Sequence, residues 1–236
     1  MTPPCLLAFD TSTDVLSLAV GQGEQTWSQT LPGGAQASAS LIPAVMDLLA
    51  QAGLPLASLD AIVFGRGPGS FTGLRTACSV AQGLALGAQL PVLPVDTLLA
   101  VAEEARVQAG SPDPLTVLAM LDARMDEVYS AAYRWSEGAW TVVSPLRVCA
   151  PEQLAVPPGA DVLLAGNVFE AYGERLPAGQ RRMVLPTALA LLRLAPALWA
   201  SGQAVPAEQA MPLYIRDKVA QTTAEREAQK VRSNRP

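Results

Sequence analysis

A strand that ends in aspartate occurs twice in this sequence, each time at the head of a similar run of elements. That repetition limits the available folds more than any other feature. The first run opens with the strand Cys5–Asp10, a polar turn Thr11–Ser12–Thr13, and a second strand Asp14–Gly21 in which Val15, Leu16, Leu18 and Val20 partly alternate. Glu24–Thr30 supplies a third strand before the breaker Pro32–Gly33–Gly34. The period then changes, because Leu41, Ile42, Val45, Leu48 and Leu49 fall on one face of a helix over Gln36–Ala52. A strand Asp60–Gly65, a glycine-rich loop, a helix Ser70–Ala88, a strand Leu90–Val95 and a helix Thr97–Gln108 complete a β-β-β-α-β-α-β-α order.

After a Pro-rich joint at Gly110–Pro114 the pattern restarts. Leu115–Asp122, Glu127–Tyr133 and Trp140–Val148 read as strands, and the Asp122/Asp126 pair repeats the four-residue spacing of Asp10/Asp14. DAIVFG at 60–65 is echoed by DVLLAG at 161–166. The echoes are 50 and 39 residues from their aspartates, so duplication stands as an expectation beside the alternative that any two α/β halves share such features. The second half has only a short helical segment near Pro151–Leu154 and a longer helix over Thr187–Gly202, bent near Pro196. Two halves that each open with an acidic hairpin predict an α/β, actin-like (ASKHA, RNase H-like) fold of two duplicated lobes, the second degenerate. The expected division is an N-terminal lobe with interface helices over 1–109, a degenerate C-terminal lobe over 110–216, and a mobile basic tail over 217–236.

Composition narrows the chemistry. The 236 residues include no histidine, which removes the commonest general base, Ser-His-Asp and Cys-His catalysis, and imidazole-ligated metals. The net charge of −5 is uneven: residues 216–236 hold six basic and three acidic side chains, leaving 10 basic against 18 acidic in the rest. Such a body repels phosphate, so the chain alone is expected to hold RNA poorly. Cys5, Cys78 and Cys149 are more than 70 residues apart, with no metal or redox spacing, and read as thiols of a cytoplasmic protein. MTPPCLLAFD has no basic n-region, and the uncharged span Thr76–Val95 is interrupted by Gly83, Gly87, Pro91 and Pro94, so neither an export signal nor a membrane helix is expected.

The loop GRGPGSFTGLR, Gly65 to Arg75, lies between a buried strand and a helix, where backbone N–H groups gather around anions. Gly67, Gly69 and Gly73 permit close approach, and Ser70 or Thr72 is a candidate N-cap. No Gly-Lys-Ser/Thr ends the loop and the spacing is not G-x-G-x-x-G, so an anion-binding loop and a structural tight turn remain equal alternatives. Asp10, Thr11 and Ser12 could hold a hydrated metal ion or a phosphate, against the plainer reading of side chains that close a hairpin. Asp122 and Arg124 could orient a substrate, against the plainer reading of a hairpin salt bridge. The helix after the loop carries Ala77, Ala81 and Ala85 beside Leu74 and Leu84. With Leu41, Val45 and Leu48 of the preceding helix, these are the candidate partner interface, against the plainer reading of ordinary packing on the chain's own sheet.

Four segments, LLAFDTST at 6–13, GRGPGSFTGLR at 65–75 continuing into AQGLALG at 81–87, LDARMDEVY at 121–129, and Pro212-x-Tyr214-x-Arg216, resemble the TsaB family. The resemblance runs through nearly the whole chain. It implies an actin-like fold, homodimers when alone, and a heterodimer with a catalytic TsaD-type subunit through N-lobe helices. With a TsaE-type ATPase subunit that complex places threonylcarbamoyl on tRNA adenosine, so tRNA contact would come only through the complex. The resemblance implies no cofactor of the chain's own, with ATP or ADP and Mg²⁺ at the heterodimer joint, and no catalytic or metal residues. The glycoprotease label of some relatives has no chemical support in a chain without histidine. The first helix departs from many relatives by starting Gly34–Ala35–Gln36–Ala37–Ser38, without their basic or His-containing segment. The competing class is an independent actin-like ATPase or phosphotransferase built around Asp10, the glycine loop and the turn at 122–126.

Overall fold

A computed structural model describes residues 4–158 and 161–215; the tail expected over 217–236 lies outside the described residues. The first half folds as β1 (Leu6–Asp10), β2 (Val15–Gln22), β3 (Gln25–Pro32), α1 (Ala37–Ala52), β4 (Ala61–Gly67), α2 (Phe71–Ala88), β5 (Val92–Asp96) and α3 (Thr97–Gln108). The second half follows with β6 (Leu115–Arg124), β7 (Glu127–Ser136), β8 (Ala139–Cys149), a 3₁₀ turn at Pro151–Gln153, β9 (Val162–Gly166), α4 (Phe169–Tyr172), β10 (Gln180–Met183) and α5 (Ala188–Ala200). One sheet has the order β3-β2-β1-β4-β5 and the other β10-β9-β6-β7-β8. In each, the first three strands pair antiparallel and the last two join in parallel. Numbered within its own half, each sheet is therefore 3-2-1-4-5. The chain has the duplicated actin-like α/β fold, and the second copy is worn: the expected short segment, a 3₁₀ turn at Pro151–Gln153, stands in the place of α1, and a single turn of helix, α4, in the place of α2.

Register corrects the alignment of the two acidic hairpins. Phe9 lies opposite Phe64 in the parallel β1/β4 pair, which sets Asp10 beside Gly65. In the second sheet the residue opposite Gly166 is Met120. The counterpart of Asp10 is thus Met120, and Asp122 stands two positions further along a longer hairpin whose last pair is Arg124 with Glu127. Residue spacing cannot show this, because a hairpin can lengthen without changing its composition.

The alternation of β1 divides its side chains between two cores. Leu7 and Phe9 pack with Leu41, Val45, Leu48, Ala77, Ala81 and Ala85 under α1 and α2. Leu6 and Ala8 face Ala188, Leu191, Leu194 and Ala195 of α5. Leu98, Val101, Ala102 and Ala105 of α3 pack instead on Val117, Ala119, Leu121 and Leu163 of the second sheet. Each half therefore lends its last helix to the sheet of the other, and the layers run helix, sheet, helix, sheet, with α4 and short turns closing the far side. Pro43 lies inside α1 on its exposed face, where the carbonyl it leaves unpaired meets water. Strand β10 and helix α4 have no signal in the sequence; QRRM carries no alternation.

Candidate functional site

The two hairpins face each other across a cleft of about 390 Å³. Ser12, Thr13 and Asp14 form one lip, Asp122, Ala123, Arg124 and Met125 the other, with Ser70 and Phe71 of the α2 head, Asn167, and the chain end at Leu213–Ile215 completing the walls. Arg124 reaches Asp14 across the cleft at 3.2 Å, an exposed pair and so a weak one, and Asp122 of its own lip at 3.3 Å. The second lip is wound tightly. Arg124, Met125 and Asp126 all have left-handed backbones, with φ of 58°, 54° and 63°, a conformation that costs an L-residue about 1–2 kcal/mol. Three contacts hold it: the Arg124 N–H donates to Asp122 at 2.8 Å, the Tyr172 hydroxyl donates to Asp122 at 2.8 Å, and Arg175 grips Asp126 at 2.5 and 2.8 Å. The guanidinium of Arg175 holds the Asp126 carboxyl below its ordinary range.

Asp10 and Thr11 do not line the cleft. Asp10 is 1% exposed and accepts from the Ser12 N–H at 2.8 Å and the Ser12 hydroxyl at 2.6 Å, with Thr97 at 3.5 Å. Burial raises its pKa to about 6, opposed in part by these hydrogen bonds. The Thr11 hydroxyl donates to the Gly73 carbonyl at 2.7 Å, and the Ser70 N–H donates to the Ser12 carbonyl at 2.7 Å. A Cβ on Gly73 would stand 1.8 Å from the Thr11 oxygen, one on Gly69 2.6 Å from Ser12, and one on Gly65 1.8 Å from Asp10. Gly67 has φ 121° and approaches the Leu213 carbonyl. The glycines of the loop thus seat the first hairpin directly on the head of α2. Ser70 is at the N-cap position of α2, but its side chain makes no capping bond. Of the candidate anion-loop residues, Ser12, Gly69 and Ser70 reach the cleft, while Thr72 and Arg75 lie on the outer side of α2 beside Ser38. Among the described residues, no three His, Cys, Asp or Glu side chains gather as metal donors.

The candidate interface residues need a correction. Leu41, Val45, Leu48, Leu74, Ala77, Ala81 and Ala85 are all between 0 and 2% exposed, and Leu84 is partly buried against the same core. They hold α1 and α2 on their own sheet, and apart from the partly exposed edge of Leu84 they have no surface to offer. The outward face of the same two helices carries Ile42 (47% exposed), Met46 (49%) and Leu86 (61%). Gly83 and Gly87 lie on that face, where an added Cβ would meet nothing within 4 Å. Long apolar side chains beside bare backbone form a surface onto which another helix can pack closely. Tyr214 and Asn167 were not singled out by sequence reasoning as site residues; Asn167 follows the second echo directly, and its side-chain oxygen accepts from the Asp122 N–H at 2.9 Å.

Comparison with known proteins agrees with this architecture. Residues 31–224 match the family model described as TsaD: tRNA N6-adenosine threonylcarbamoyltransferase. The tRNA threonylcarbamoyladenosine biosynthesis protein TsaB of Escherichia coli is 34% identical over 91% of this chain and 96% of its own length. The protein of the same name from Haemophilus influenzae is 36% identical over 91% and 94%. The structure of YeaZ from Pseudomonas aeruginosa superposes with a TM-score of 0.83 at 42% identity, covering 89% of this chain and 99% of that one. A resemblance of this extent, on a shared fold, leaves one assignment: the chain belongs to the family that this model describes and, within it, to the TsaB, YeaZ-type proteins.

Proposed function

We propose that this chain is a non-catalytic subunit required to form N6-threonylcarbamoyladenosine in tRNA, and that it binds a TsaD-type catalytic subunit through the outward face of α1 and α2. The observation that carries the reading is that face itself, with Ile42, Met46 and Leu86 standing in solvent around two open glycines. A specific heterodimer buries about 800 Å² on each partner, an area two helices of 16 and 18 residues can supply. In isolation the same apolar face would pair two copies of the chain. The site chemistry supports an accessory role: Asp10 is enclosed by Ser12 and Thr97, and its counterpart in the second lobe is Met120, which carries no charge. The catalytic subunit would supply the reacting groups, a TsaE-type ATPase subunit would join the larger complex, and tRNA would be held through that assembly. ATP or ADP with Mg²⁺ would lodge at the joint between subunits. We place the complex in the cytoplasm; no helix among the described residues is long and apolar enough to cross a membrane.

Reconstitution tests the reading. Threonylcarbamoylation of tRNA by the catalytic subunit, the ATPase subunit and the adenylate-forming enzyme is expected to require this chain, while the chain alone does nothing. Equal activity without it would refute the role. Tight ATP–Mg²⁺ binding by the isolated chain, weakened by Asp10→Asn, would favour an independent actin-like ATPase or phosphotransferase instead.

A further inference from the structure

Phe71 borders two hollows at once. One is the cleft, which it walls with Leu213 and Tyr214. The other is a shallow slot at the head of α1 and α2, lined by Ser38, Thr72, Arg75, Thr76 and Ser79. Arg75 joins the two. Its guanidinium carbon lies 3.8 Å from the Phe71 ring centre, its Nε donates to the Tyr214 hydroxyl at 3.0 Å, and the rings of Phe71 and Tyr214 are 5.4 Å apart. Tyr214 ends a strap that runs back along α2. The Ala210 carbonyl accepts from Cys78 and Gln82, and the Leu213 N–H donates to the Arg66 carbonyl at 2.7 Å. Beyond Leu213, Arg75 and Phe71 anchor the Tyr214 side chain.

Arg75 is also the only cation in either α1 or α2. It is exposed, on a surface whose other side chains are hydroxyls, amides, small and apolar residues and, further along α1, the carboxylate of Asp47. A guanidinium grips a carboxylate through two parallel N–H bonds, and one edge that can do so includes Nε. The Tyr214 hydroxyl takes only that Nε bond, so a carboxylate arriving on this edge competes with it directly. We propose that the slot receives a carboxylate side chain of the catalytic partner, which draws Arg75 away from Tyr214, so that docking on the helical face loosens the strap walling the cleft. This rests on the partner reading above and adds the chemical group the partner brings and its effect at a distance.

The test is a calorimetric titration of the catalytic subunit into the full chain and its Tyr214→Phe, Arg75→Ala and Arg75→Lys variants, with hydrogen exchange at the Leu213 amide. Tyr214→Phe keeps the ring against Phe71 and removes only the competing oxygen, so it should bind about two- to tenfold more tightly. Arg75→Ala should bind at least tenfold more weakly, Arg75→Lys should fall between, and the Leu213 amide should exchange faster in the wild-type complex than in the free chain. A Tyr214→Phe chain that binds no more tightly than wild type, or a Leu213 amide no faster in the complex, overturns the coupling. Failure of the folded wild-type chain to bind the catalytic subunit at all would instead overturn the partner reading on which the proposal stands.

Discussion

Asp10 is the residue at which this fold is most exposed to pH. Its pKa of about 6 in the folded chain lies above the ordinary 3.8, so as pH rises from about 4 the unfolded chain loses this proton first and stability falls until pH passes the folded value. The two values correspond to about 3 kcal/mol in all, of which about 2 kcal/mol is lost between pH 4 and 7. Asp10→Asn keeps the acceptor for Ser12 and cannot ionise; denaturant titrations at several pH values should find that it lacks this part of the slope. An unchanged slope would mean that another group carries the dependence. Gly73 is the complementary case, fixed by space rather than charge. Gly73→Ala would force a Cβ to within 1.8 Å of the Thr11 carbonyl, parting the first hairpin from α2 at a cost of at least about 2 kcal/mol, read as a lower midpoint in urea.

At the scale of the element, the faces of α1 and α2 have opposite duties. Ala81 and Ala85 are wholly buried against β1 and β4, so Ala81→Glu should unfold or severely destabilise the chain, whereas Leu86→Glu should leave the melting temperature within about 2 °C and weaken partner binding at least tenfold. Binding by both Leu86→Glu and Met46→Glu at wild-type affinity would remove this face from the interface. The two helices themselves were legible in the sequence because a helix packed on one sheet must repeat its apolar residues every three or four positions. Which face met the core was not legible. The alanine stripe of α2 and its Gly83, Leu86, Gly87 side are both small and apolar, and only the position of the sheet separates them. The same limit applies to the hairpins: the Asp122/Asp126 echo was visible, yet pairing across β6 and β9 assigns Met120 to the place of Asp10. The glycine loop was identified as special, but its purpose depends on Thr11 and Ser12, which are about 60 residues away in sequence.

For the molecule as a whole, exchange of α3 and α5 binds the two halves together. Glu103, 2% exposed on α3, accepts from Arg106 at 2.9 and 3.0 Å, from the Trp140 indole at 3.0 Å and from Arg193 of α5 at 3.1 Å. Glu103→Ala would strand Arg106, whose side chain is only 13% exposed, and should cost about 3–5 kcal/mol, measured by chemical denaturation. The sequence boundary near residue 110 separates two similar sheets without separating two cores. A chain of residues 1–109 keeps the first sheet and lacks α5, which covers Leu6, Ala8, Ala19 and Val63; it should fail to give a cooperative melt, while the full chain melts in one transition. The exchange also sets a schedule for synthesis. Strand β5 ends at Asp96 and α5 begins at Ala188, so about 90 further residues must leave the ribosome before that side of the first sheet can be covered. At roughly 5–20 residues per second, a nascent chain carries the apolar face that awaits α5 for about 5 to 18 seconds, and in that interval its solubility depends on whatever shields that face in the cell.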